Sequence, residues 1–310
     1  MRSGGAEGDG RAALARGPRV GLLLGRERRL VGVAVVAVCG LLLVAGLVAG
    51  VRWSGEPFRA PPTEHEPTPR EVARRVAWYG SLVLVAGPVV GACVIGAGGR
   101  LAMRLLAVTG GDGAQGRITE ADEVVGDITA GGTISFILFN GILGGTAIAA
   151  LYLLVRRLLP ASRLGGVAFG AGLLVVAGTT VDPLRRDNPD FDLVGPGWLA
   201  VVVFTALALA YGFVLASFFA RLSAWLPLPS PERRVLARYV WPAVAAVVLY
   251  PLTVIYAVAG LVVVLATRWP GLLDAVRSHR AVVAGRVLAV ALLVVALPGA
   301  LAAVADIVGR

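Results

Sequence analysis

Seven long apolar stretches divide the chain, at about residues 30–51, 77–99, 132–155, 164–181, 197–220, 240–267 and 287–305. Most approach or exceed the ~20 residues an α-helix needs to span a ~30 Å hydrocarbon layer, and the fourth is the shortest. All six tryptophans (Trp53, Trp78, Trp198, Trp225, Trp241 and Trp269) fall at or just beyond the edges of these runs. Indole rings settle at that depth, among lipid head groups, so the tryptophans mark the same boundaries independently of hydropathy. The pattern predicts an all-α, polytopic transmembrane helix bundle of about seven helices.

Composition agrees: 57% of the residues are hydrophobic, only 15% are charged and the mean hydropathy is +0.80. A water-soluble globule of this length needs more charge on its surface. The formal net charge of +10 does not change the class. Its arginines cluster at the ends of apolar runs, where positive charge sets topology and meets anionic lipid, so membrane lipid is an expected partner and nucleic acid is not. All 29 basic residues are arginine, in a chain rich in Ala, Gly and Val, as a GC-rich bacterial coding sequence gives.

Four regions follow. Residues 1–29, rich in Gly and Arg, read as a disordered basic arm. The run at 30–51 reads as a retained first transmembrane helix, because it is longer than the apolar part of a signal peptide and lacks a clear cleavage site. Residues 52–76 form a linker containing EPFRAPPTEHEP, too proline-rich for helix or sheet, and Thr68 with Pro69 reads as the cap and first position of the next helix. The bundle occupies 77–310, with charged loops at 105–131 and 182–196.

Within the runs, Gly46/Gly50, Gly87/Gly91, Gly141/Gly145 and Gly166/Gly170 have the GxxxG spacing that lets helix backbones approach, and general packing is the expected use. Cys39 and Cys93 lie inside apolar runs and read as small buried hydrophobes. Orientation is contradictory. The short loops with Arg156, Arg157 and Arg163, and with Arg221, Arg233, Arg234 and Arg238, favour the cytoplasm, but so does the basic arm three spans earlier. The central loops carry more weight, so the acidic loops are expected to face outward, with either the arm outside or one early segment re-entrant.

Motif chemistry is sparse. GDGAQG at Gly111–Gly116 fits GxGxxG but follows the end of a helix rather than a strand, so it reads as a turn. His65 and His279 sit in loops without ligand or triad spacing, and no catalytic, metal or cofactor residue is assigned. One constellation stands out. Arg100 and Arg104 share a helix face where the second run meets the interface, followed by RITEADEVVGDIT with Glu120, Asp122, Glu123 and Asp127. This segment is expected to form a short β-hairpin or hooked loop near 117–130, its carboxylates reaching Arg100 and Arg104. A second charged loop, DPLRRDNPDFDLVGPGW, holds Arg185, Arg186, Asp190 and Asp192 and could join it in one cap.

The phrases Arg100…Met103-Arg104-Leu105-Leu106-Ala107…Thr109, Ile118-Thr119-Glu120, Ile128-Thr129, Gly131-Gly132-Thr133, Asn188–Phe191 and Pro196-Gly197-Trp198 resemble those of uncharacterised actinobacterial multi-pass membrane proteins. The resemblance covers about residues 77–222. It implies a bacterial plasma-membrane protein and no activity. On the residues alone, the favoured function is a non-enzymatic membrane component presenting charged outward loops to a partner protein, lipid or a second copy. One alternative is a small-solute or ion transporter or channel, suggested by helices broken at Pro88, Pro251 and Pro298, with Asn140, Thr146, Tyr250, Thr253 and Tyr256 to line a path. No Asp, Glu or His near mid-membrane supports it. The other is an intramembrane enzyme acting on lipid at Arg100 and Arg104.

Overall fold

The computed structural model describes residues 17–62, 68–120, 124–160, 164–269, 271, 275 and 278–310, with side chains from Leu30 onward. Helix α1 runs from Gly17 to Trp53. The expected disordered arm is therefore helical from Gly17: Pro18 suits a first turn, and no further proline interrupts the chain before the apolar run. Residues 1–16 lie outside the described part. Helix α2 (Pro69–Val90) starts at the expected cap, where the Thr68 N–H donates to Glu71 Oε2 (2.7 Å) and Thr68 Oγ1 accepts from the Glu71 N–H (3.4 Å).

α2 continues through a π-helical turn (Gly91–Ala97) into α3 (Gly98–Thr109), forming one 41-residue rod. At ~1.5 Å per residue this is about twice the hydrocarbon thickness, so the rod projects from the bilayer. Trp78, whose Nε1 donates to Leu226 O (2.7 Å), marks one interface and Arg100 the other. Helix α4 (Ala130–Phe136) passes through a second π-helical segment (Ile137–Gly144) into α5 (Gly145–Val155). Helix α6 (Leu164–Leu173) ends in a third (Leu174–Gly178), and α7 spans Gly197–Trp225. Then come α8 (Arg233–Arg238), α9 (Val240–Val248), α10 (Tyr250–Leu265) and α11 (His279–Val308).

The glycine pairs read in the sequence meet inside the chain. A Cβ at Gly87 would stand 2.6 Å from Thr146 Cα, one at Gly145 would stand 2.6 Å from Gly91 Cα, and one at Gly91 would collide with Gly141 O. Gly166 and Gly170 press in the same way on the Gly212 and Ala208 carbonyls of α7. Gly46 and Gly50 seat α1 against Cys93 and Val214. Lipid is as apolar as leucine, so helices in a bilayer are held by close backbone packing rather than by escape from water. Trp78, Leu82, Tyr211, Leu215 and Phe219 fill the core beside these crossings.

Among the described residues six helices are long and apolar enough to cross a membrane, α10 with its last turn (Tyr250–Arg268) being one of them, and the apolar Leu164–Gly178 is shorter. The contacts, however, give the sixth expected run a different path. Arg238 Nη1 donates to Trp225 O (2.6 Å) and Tyr239 O–H to Pro227 O (2.7 Å), so α9 enters from the face where α7 ends. The chain bends at Leu249. Pro251 offers no N–H there, and Thr253 Oγ1 donates instead to Ala246 O (2.9 Å) and Leu249 O (3.2 Å). Tyr256 O–H then reaches Thr146 O deep in the bundle (3.1 Å), while Gly260, one turn later, lies against Val76 near the start of α2. α10 is thus returning to the face that α9 came from. α11 starts on that face, with Gly285 against Leu158, and ends on the other, with Ile307 O against Gly197.

By these contacts the expectation of about seven passes becomes six crossings among the described residues, by α1, α2–α3, α4–α5, α6, α7 and α11, while α10, apolar and long enough to cross, forms a re-entrant pair with α9. Arg70, Arg74, Arg156, Arg157, Arg221 and Arg233 share one face; the loops at 105–131 and 182–196 share the other, with the C-terminus of α11. Three crossings separate the start of α1 from Arg156, so the start of α1 and the central basic loops lie on opposite faces. Tags inserted after Pro229 and after Trp269 are expected to be reached by impermeant label from the same side of the membrane. Labelling from opposite sides would make α9–α10 a full crossing.

Candidate functional site: a charged cap

At the face opposite the basic loops, α3, α7 and α11 converge on a small core of their own: Leu106, Leu184, Phe191, Ala200 and Ile307 are all buried. The loop after α3 is turned by glycines with left-handed backbone, Gly111 (φ 76°), Gly116 (φ 79°) and Gly126 (φ 93°), a region costly for other residues. GDGAQG forms a 3₁₀ turn at Asp112–Ala114, and Gln115 Nε2 donates to Ala107 O (2.8 Å), pinning the turn to α3. As its sequence context suggested, the segment follows a helix and closes a turn.

Beyond it the chain doubles back through Val125 N–H to Arg117 O (2.8 Å) and Gly116 N–H to Val125 O (3.0 Å), with one antiparallel bridge between Ile118 and Val124. Of the two expected forms this is the hooked loop. A hairpin needs longer paired edges than the glycine turns leave.

The two charged loops are joined through Arg185. Its Nη2 contacts both carboxylate oxygens of Glu120 (2.6 and 2.7 Å), its Nε lies 2.9 Å from Asp187 Oδ1, and the Glu120 N–H donates to Asp190 Oδ1 (2.8 Å). Asn188 Oδ1 accepts from the Asp190 N–H (2.8 Å) and fixes the turn. Arg310 clamps the second loop: it donates to Arg186 O (2.6 Å) and Asn188 O (3.4 Å) and pairs with Asp192 and Asp306 (each 3.3 Å). Arg186 lies 3.9 Å from Asp306.

Glu120, Arg185, Arg186, Asp190 and Asp192, expected from sequence, therefore share one network. Asp187, Asn188, Asp306 and Arg310 join them. The only sequence signal for the last two was an i, i+4 pair just past the final apolar run.

Arg100 and Arg104 take other partners. Arg100 Nε donates to Thr133 Oγ1 (3.3 Å) and its guanidinium lies 5.8 Å from the Phe136 ring centre, while Arg104 Nη1 donates to Gly126 O (3.4 Å). Neither meets a carboxylate among the described residues. Glu120, their nearest expected partner, is committed to Arg185. Asp127 is exposed, and Asp122 and Glu123 lie outside the described residues. Snorkelling along α3 with polar backbone and hydroxyl partners accounts for both arginines.

Packing of the cap raises the Asp182 carboxyl above its ordinary value; Arg185 opposes this, and Glu120 and Asp190 reinforce it. Arg185 is itself raised, chiefly by its hydrogen bond to Glu120.

The opposite face carries the beginning of the linker. Phe58 stands edge-on to Trp78 (centroids 5.9 Å) and beneath the Arg156 guanidinium (3.4 Å), Glu56 pairs with Arg221 (3.3 Å), and the Arg59 N–H donates to Ser223 Oγ (2.9 Å). Burial lowers the Arg156 pKa, its main opposition being the nearby Tyr152. Between the faces, Tyr211 O–H donates to Gly145 O (2.8 Å) and Thr146 Oγ1 to Ile142 O (2.6 Å). Thr146, Thr253 and Tyr256, suggested for a polar path, thus spend their hydroxyls on backbone carbonyls, whereas Asn140 and Tyr250 are exposed on the outside of the bundle. No family model, curated protein or solved structure matches the chain.

Two outcomes follow from the cap. Arg185→Glu should lower the thermal midpoint of the purified protein, and adding Glu120→Arg should restore part of the loss, whereas Arg104→Glu with Glu120→Arg should behave additively. Equal rescue by both pairs would return Glu120 to Arg104. For Asp182, the folded pKa lies above the ordinary 3.8, so stability falls as pH rises from 3.8 through the raised value. Asp182→Asn should accordingly raise the midpoint at pH 7 and give no gain below about pH 3.8; a destabilised variant at pH 7 would mean that its attraction to Arg185 outweighs burial.

Proposed function

We propose that this protein is a non-enzymatic component of a bacterial plasma membrane that presents the charged cap to a partner protein on the outer surface. The observation that carries the reading is the construction of the cap. Two loops 65 residues apart are locked by Arg185 and Glu120, and the end of α11 is fastened to them by Arg310, around a core separate from the main one. A surface fixed this way loses little freedom on binding. It also keeps Asp112, Arg117, Asp127 and Arg186 exposed. The basic face, with its arginine-rich short loops, is assigned to the cytoplasm and to anionic lipid. The kinship with actinobacterial multi-pass proteins is part of the same proposal.

Transport is disfavoured by the interior, where Tyr211, Thr146 and Tyr256 are bonded to backbone carbonyls and helix backbones touch at glycine. A photo-crosslinking residue at Arg117 or Asp127 is expected to capture one discrete protein in intact cells, and the same residue at lipid-facing Val294 to capture lipid. Arg185→Glu should abolish the capture while leaving the protein in the membrane. Lipid adducts alone at the cap, or solute flux through reconstituted vesicles that depends on the protein, would overturn the reading.

A further inference from the structure

Asn140 carries the one carboxamide within the apolar runs of the sequence. It lies in the π-helical segment of the third crossing, seven residues past Thr133, the partner of Arg100. That is about 10 Å below the interface at ~1.5 Å per residue. It is exposed on the outside of the bundle, and its amide makes no hydrogen bond among the described residues. It cannot turn inward, because the next residue, Gly141, is in backbone contact with Gly91, Ala92 and Gly96. Ala147, Leu151 and Leu154 continue the same outward stripe, with Ile134 and Phe139 beside it.

A carboxamide left in hydrocarbon loses the water that would satisfy it. Its N–H groups could borrow a spare lone pair from a backbone carbonyl. Its Oδ1 has no such recourse, since helical N–H groups are already used and acyl chains carry no donor. A second carboxamide answers both needs, being donor and acceptor at once. Two copies of one residue meet across a two-fold axis, the commonest symmetry of homo-oligomers. The GxxxG pairs do not compete for this role, since each is occupied within the chain.

We propose that the protein forms a two-fold dimer in the membrane through the outer stripe of the third crossing, with the Asn140 side chains of the two copies hydrogen-bonded to each other. The inference is independent of what the cap binds.

The full chain, labelled on the cap and reconstituted into vesicles of phosphatidylethanolamine and phosphatidylglycerol, should show energy transfer that falls on lipid dilution along a monomer–dimer curve. Asn140→Leu should shift the curve roughly ten-fold toward monomer, as expected for loss of an interhelical amide bond in lipid, and Asn140→Gln should keep most of the association. In a Cys39→Ala/Cys93→Ala background, a bismaleimide should join copies carrying Ala147→Cys and not copies carrying Val290→Cys on the outer face of α11. An unchanged helical circular-dichroism spectrum for Asn140→Leu shows that the fold is kept and that association was altered. A monomeric wild type across the dilution series, or Asn140→Leu dimerising as tightly as wild type, would overturn the proposal.

Discussion

The structure depends on backbones touching where side chains are missing. At the crossing of α2 with α5, Gly87, Gly91, Gly141 and Gly145 bring main-chain atoms into contact, and Gly166, Gly170 and Gly212 do the same for α6 and α7. In water, burial of apolar surface would bring such helices together. In lipid that term is nearly absent, and dispersion between closely packed backbones takes its place. Replacing any one of these hydrogens by a methyl forces main chain apart, which no side-chain rotation relieves. The π-helical turns of α2–α3 and α4–α5 lie at the same level, and a wider turn lets two glycine-rich surfaces interlock.

Much of this was legible in the sequence because bilayer thickness and glycine spacing are one-dimensional signals. The crossings, the tryptophan edges, the Thr68 cap and the packing use of the GxxxG pairs could all be read from local residues. Which glycine pair meets which could not, since it depends on the order of helices around the bundle. The fate of the 240–267 run was partly visible. It is longer than one crossing needs and contains Pro251, but only the contacts of Tyr256 and Gly260 show that the second half turns back. The helical extension of α1 below Leu30 was missed because glycine and arginine richness resembles disorder, whereas a helix already nucleated by an apolar run propagates at little cost.

The charged cap shows the limits of proximity. Glu120 follows Arg104 closely in sequence, and pairing them requires only a turn. The turn exists, but the glycines that form it aim the loop at the second charged segment, where Arg185 sits on a rigid Asn-Pro bend with two oxygens of Glu120 in reach. Arg104, on a helix flank near lipid, is left with a backbone carbonyl. A carboxylate whose two oxygens both reach one guanidinium nitrogen is held there in preference to a cation that is merely nearer in sequence. Composition located the members of the network, and loop geometry chose the pairs.

The same face bears on the conflict of topology. Six crossings put the start of α1 and the end of α11 on one face, so the N-terminal end of α1 shares a side with the cap and not with the central basic loops. Arginine on the outer side is ordinarily disfavoured. Here, however, the base of α1 stands next to the hooked loop, with Gly32 against Ile128, the neighbour of Asp127. Asp127 and the carboxylates of the cap therefore place negative charge beside the start of α1. Opposing charges within about a Debye length of ~8 Å still interact at physiological salt. On the opposite face, among the described residues, Glu56 is paired with Arg221, Glu71 is tied into the Thr68 cap, and Glu232 stands before Arg233 and Arg234. Among the described residues the two faces thus differ less in where arginines occur than in where they occur without a carboxylate partner, since the ion pairs gather at the cap and the basic face holds Glu56 with Arg221.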